Sequence, residues 1–116
     1  MKLLSLEPFI PSGINFQNSK QLFQEMGFAI SWDGGDYVGF ECDGCKFILQ
    51  NYHNDEFAKN LMINVKISNA EEFWKFVTDK KLPERFGIRI TKPKQQPYGK
   101  EVNVIDLAGV CWHFVE

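Results

Sequence analysis

Ile105-Asp106-Leu107-Ala108-Gly109-Val110-Cys111-Trp112-His113-Phe114 holds a tight turn followed by an alternating strand. Asp106 and Gly109 bracket a turn, because Asp ties up turn amides and Gly accepts positive φ. From Val110 onward the residues alternate. Trp112 and Phe114 fall on one side of a strand, Cys111 and His113 on the other.

Working backward, strands are expected at about 101–106, 86–91 and 61–67. Between the last two lies a helix opened by Asn69 with Glu72. It carries Phe73, Trp74, Phe76 and Val77 and ends near Lys80-Lys81, before Pro83. The first half has the same order. An irregular strand at about 3–10 precedes a helix at about 18–26, with Asn18 and Gln21 as its capping pair and Gly27 as its stop. Strands follow at about 28–32, 37–42 and 45–52, joined by Asp33-Gly34-Gly35-Asp36 and Asp43-Gly44. Asn18-Ser19-Lys20-Gln21-Leu22-Phe23 and Asn69-Ala70-Glu71-Glu72-Phe73-Trp74 share a pattern. The chain thus reads as an α+β fold of two tandem βαβββ units, at about 1–54 and 60–116, within one domain.

Composition narrows the function. A net charge of −2 and no dense Lys/Arg stripe argue against a nucleic-acid partner. No apolar run approaches the roughly 18–20 residues that span a bilayer. The N-terminus has no signal-peptide pattern, so the cytoplasm is the expected location. Three cysteines cannot form a closed disulfide framework. Cys42 and Cys45 flank Asp43-Gly44, the preferred pair for a type I′ turn, so their C-x-x-C spacing follows from a tight hairpin; a reversible cross-strand disulfide is the alternative.

Alternation sorts the strands into two faces. Phe47, Leu49, Ile63, Val65, Val102, Val104, Trp112 and Phe114 form an apolar face for helices to cover. The opposite face carries Ile48, Gln50, Met62, Asn64, Lys66, Arg89, Thr91, Glu101, Asn103, Cys111 and His113. It is either a solvated outer face or the lining of a cleft in a curved sheet. His53 reads as a surface-loop residue. Cys111 and His113, two apart on a strand, sit about 7 Å from each other, which predicts no hydrogen bond and no nucleophile pair.

The tandem unit and the Ile105–Phe114 motif resemble the vicinal oxygen chelate superfamily, which holds glyoxalases, bleomycin-resistance proteins and extradiol dioxygenases. Phe9-Ile10-Pro11-Ser12, Leu22-Phe23-Gln24-Glu25-Met26-Gly27-Phe28 and Gln96-Pro97-Tyr98-Gly99 are similar to further motifs of that group, in the same order. The likeness is nearest to the bleomycin-resistance-like branch. It implies paired units curving a mixed sheet around a cleft, and a homodimer.

The superfamily's metal-dependent members take His, Gln and Glu ligands from the outer strands of each unit. Here the matching positions hold Glu7, Gln50, Met62 or Asn64, and His113 where a Glu is usual. One imidazole among amides is a poor divalent-metal site. The expectation is therefore a small-molecule-binding protein without metal catalysis or cofactor, of the antibiotic-sequestering kind. Its cleft would be lined by Trp32, Phe40, Gln50, Asn64, Arg89, Tyr98, Glu101, Asn103 and His113, with Tyr37 a further aromatic wall. No catalytic residue is assigned. The alternative is a metal-dependent lyase, isomerase or dioxygenase-like enzyme using Glu7, Gln50 and His113, with Glu101 as base.

Overall fold

A computed structural model describes residues 1–116, which divide into two units, Met1–Asn54 and Asp55–Glu116. In the first unit β1 (Phe9–Pro11) leads to α1 (Phe16–Glu25), β2 (Ala29–Asp33), β3 (Tyr37–Cys42) and β4 (Cys45–Gln50). The strand order is β1-β4-β3-β2, with β1 parallel to β4 and the rest antiparallel. Helix α1 buries Phe16, Ser19, Leu22 and Phe23, the i, i+3, i+4 stripe of a helix lying on a sheet. The Phe23 ring meets Phe47 at 4.9 Å and Phe40 at 5.9 Å between centroids.

The second unit holds α2 (Asp55–Asn60), β5 (Met62–Lys66), α3 (Ala70–Asp79), α4 (Leu82–Phe86), β6 (Arg89–Ile90), β7 (Lys94–Gln96), β8 (Gly99–Ile105) and β9 (Cys111–Val115). Its sheet runs β5-β9-β8-β6, with β5 parallel to β9 and β7 also paired to β8. Phe73 of α3 stacks on Phe114 of β9 at 4.0 Å. The two units thus share one plan, in which a parallel first strand flanks the last strand of the unit and a helix covers the apolar face. The α+β tandem architecture read from the sequence is the one observed. No helix is long and apolar enough to cross a membrane.

Local departures have local causes. The first strand is three residues rather than eight: pairing with β4 begins where the Pro8 carbonyl accepts from the Ile48 amide at 2.8 Å, and Leu3, Leu4 and Leu6 before it stand exposed. Helix α1 starts two residues earlier than expected, at Phe16. Asn15, not Asn18, is its cap, and the Asn15 side chain accepts from the Asn18 amide at 3.0 Å. Asn69 caps α3 as expected, accepting from Glu72 N at 2.9 Å. Pro83 does not simply end a helix. It sits in the first turn of α4, where its missing N–H costs nothing, and the strand expected at 86–91 shrinks to Arg89–Ile90. Helix α2, in the expected inter-unit loop, begins with Asp55 and Glu56 and buries Ala58. At the tip of the β3–β4 hairpin Asp43 and Gly44 have φ of 50° and 82°, the type I′ geometry, and Cys42 and Cys45 pair across it as free thiols.

Candidate functional site

Ladder register builds an aromatic recess on the first unit. Phe9 lies opposite Ile48, Ile48 opposite Gly39, and Gly39 opposite Trp32, so one row crosses all four strands. Trp32 reaches that face only because β2 carries a bulge between Ile30 and Trp32. Ile30 pairs with Phe40, while Trp32, two residues on, pairs with Gly39. A bulge re-aims the side chain that follows it. The indole then lies flat on Gly39, where any Cβ would overlap the ring. Phe9 and Tyr37 meet edge-on at 5.8 Å. Together with Gly34 these residues line an open cavity of about 450 Å³. Trp32 is 42% and Tyr37 41% exposed, much apolar ring surface for water to hold. Gln50 stands in the next row, opposite Tyr37, with its Nε2 3.4 Å from the Tyr37 hydroxyl.

Phe40 does not share this face. Alternation turns it toward α1, where it is 1% exposed and stacked on Phe47 at 5.2 Å. Tyr37 and Trp32 stay on the open face, and Phe9, Gly34 and Ile48 complete a recess that pattern reading did not assemble. The signal was Gly39, a glycine inside a strand, which marks a close approach.

On the second unit the polar face forms two cross-strand rows. Met62, Cys111, Ile105 and Arg89 make one; Asn64, His113 and Asn103 make the other. His113 Nδ1 lies 2.7 Å from Glu101 Oε1, and the Tyr98 hydroxyl donates to Glu101 Oε2 at 2.8 Å. Burial alone would raise the Glu101 carboxyl. The hydrogen bonds from Tyr98 and His113 outweigh it and hold the carboxyl below its ordinary value, while the Tyr98 hydroxyl is pushed up by giving its proton's hydrogen bond to Glu101. His113 Nε2 is 3.4 Å from Cys111 Sγ, a contact that the 7 Å strand repeat seemed to forbid. The imidazole reaches back along the strand and closes the gap. Asn103 Oδ1, in the His113 row, is buried without a partner within the chain.

Asp106 fixes this arrangement from behind. Its Oδ1 accepts from the amides of Ala108, Gly109 and Val110 at 3.0, 3.1 and 3.0 Å, and its Oδ2 accepts from the Trp112 indole at 2.9 Å. Burial pushes the carboxyl up despite those four bonds.

The residues do not fit a resident metal. In the parallel β1–β4 register Pro11, not Glu7, lies opposite Gln50. Glu7 lies four residues before Pro11, outside the strand. Glu7 Oε2 accepts from Ser5 Oγ at 2.6 Å, and both His113 nitrogens are engaged. Cys111, His113 and Glu101 stand in line rather than converging on a point, and no three His, Cys, Asp or Glu side chains group to hold an ion.

No protein-family profile and no curated protein sequence matches the chain. Solved structures do. The bleomycin resistance determinant encoded on the transposon Tn5 superposes with a TM-score of 0.81 at 16% identity, over 98% of both chains. The bleomycin-binding protein from bleomycin-producing Streptomyces verticillus, complexed with copper(II)-bleomycin, gives 0.71 at 18%, over 99% of this chain and 97% of the other. The fosfomycin resistance protein from Listeria monocytogenes, complexed with Mn(II) and sulfate, gives 0.74 at 9%, over 99% and 90%. At such identities the likeness is one of fold. The chain has the glyoxalase/bleomycin-resistance fold.

Proposed function

We propose that this chain is a small-molecule-binding protein that sequesters a small, flat or cationic compound such as an antibiotic, acting without metal catalysis as a cytoplasmic homodimer. The observation that carries this reading is the open recess that Phe9, Trp32 and Tyr37 line with Ile48 and Gly34. Covering such rings with a planar ligand removes apolar area from water at about 25 cal/mol per Å² and adds stacking. Gln50 beside the Tyr37 hydroxyl offers an amide to orient it. On the second unit Asn64, Arg89, Tyr98, Glu101, Asn103 and His113 are taken as a ligand-facing polar set in their own right. The similar fold of bleomycin-binding proteins supports the reading. The exposed apolar Leu3, Leu4 and Leu6 support the dimer.

Titrating the protein with metal-free bleomycin and other planar antibiotics, followed by Trp fluorescence, tests it. Saturable quenching is expected, weakened at least about tenfold by Trp32→Ala and by Gly39→Ala, which would lift the indole off the sheet. Absence of a saturable response across the panel refutes it. Incubation with nickel, zinc or manganese should leave less than about a tenth of an equivalent bound.

A further inference from the structure

The contact between Cys111 and His113 has chemical content that a binding site does not require. Sγ, Nε2, Nδ1 and the Glu101 carboxylate stand in sequence, at 3.4 Å and then 2.7 Å, and Tyr98 fixes the far carboxylate oxygen at 2.8 Å. Glu101 is only 5% exposed, so its orientation is set by these two partners rather than by water. A carboxylate on Nδ1 selects the tautomer that carries hydrogen there, which leaves the Nε2 lone pair facing the thiol. This is the order of groups that activates a nucleophile through a neighbouring base. Burial, with Glu101 and Asp106 nearby, pushes the Cys111 thiol up. The thiol therefore keeps its proton until an electrophile arrives, and the imidazole must take it.

The strand decides which electrophile. Cys111 lies on β9, flanked on both sides by β5 and β8, so the backbone N–H groups of β9 point into ladders and not at the sheet face. No pair of amides is aimed at an oxyanion two bonds from sulfur, as acyl transfer requires. Conjugate addition puts its developing charge four bonds away, out over the exposed Met62 and Asn64, where water reaches it. We propose that Cys111, with His113 as its base and Glu101 and Tyr98 as positioning residues, captures small α,β-unsaturated carbonyl compounds as covalent thioethers. Sγ bonds to the β-carbon as the C=C π pair moves to the enolate. The thiol proton passes to Nε2 and from there to the α-carbon. Nothing is oxidised or reduced, and no co-reactant is consumed. The inference goes beyond ligand sequestration and uses none of the recess residues.

The test is site-resolved mass spectrometry of the full chain reacting with N-ethylmaleimide and with methyl vinyl ketone at pH 7. Cys45, exposed at the hairpin tip, is the internal reference. Half-buried Cys111 is expected to react at least about tenfold faster than Cys45, within the range that general-base assistance supplies. His113→Ala should erase that advantage without changing Cys45, and added imidazole should restore part of it. Glu101→Gln should slow Cys111 severalfold, and combining it with His113→Ala should cost little more than His113→Ala alone, as for groups acting in one relay. Cys111 reacting no faster than Cys45 in the unmodified protein would overturn the proposal, and this comparison needs no variant to fold. So would an advantage that survives His113→Ala. Because the electrophiles used are simple ones, failure of antibiotic binding leaves this result standing, and the reverse also holds.

Discussion

Removing the Asp106 carboxylate would leave the Ala108 and Val110 amides and the Trp112 indole N–H without their acceptor inside the protein, while the Gly109 amide keeps the Asp106 main-chain carbonyl at 3.1 Å. Each unmet buried donor costs about 1–3 kcal/mol, so Asp106→Ala should destabilise the chain by at least about 3 kcal/mol, read as a shift in the urea midpoint. Asp106→Asn keeps one acceptor oxygen and should lose less. Glu101 makes a different prediction. Its folded carboxyl titrates below its unfolded value of about 4.3, so the stability it contributes is present above that value and is lost as pH falls through the lower folded one. The unmodified protein should therefore lose more stability than Glu101→Gln between pH 7 and pH 3. Parallel losses in urea titrations at the two pH values would contradict the assignment. Asp106, Glu101 and His113 were all visible in the sequence as residues of interest. Their partners were not, because a hydrogen bond across strands depends on register and rotamer.

At the scale of elements, helix starts separate what local pattern can and cannot resolve. Asn15 and Asn69 cap α1 and α3 through the same side-chain bond to the amide three residues on. Asn15→Ala and Asn69→Ala should each cost about 1 kcal/mol, whereas Asn18→Ala, exposed inside the first turn, should stay within about 0.5 kcal/mol; thermal denaturation of the three variants would tell them apart. Asn15 and Asn18 lie three residues apart, and residue type alone does not rank them as caps. Burial of Phe16 draws the helix start back to Asn15. The Asp43-Gly44 hairpin, in contrast, was legible outright, because few residue pairs accept positive φ twice. The β2 bulge was not. It left Trp32 grouped with Phe40, when the two belong to opposite faces.

For the whole molecule, the exposed Leu3, Leu4 and Leu6 mark a segment whose apolar side chains find no cover within their own unit. If they are buried against a second copy, deleting residues 1–6 should shift light-scattering masses toward the monomer at micromolar concentration. An unchanged dimer, or a monomer in both proteins, would assign these residues no such role. The tandem α+β plan, the apolar faces of the sheets and the Asp106–Gly109 turn were determined by sequence alone. Alternation, capping and turn chemistry act over a few residues and are written in them. The short ladder of β1, the recess beneath Trp32 and the Cys111–His113–Glu101 line were decided only by tertiary structure. Each depends on which strands lie side by side and in what register, and the closing strand's own repeat pointed the other way about its thiol and imidazole.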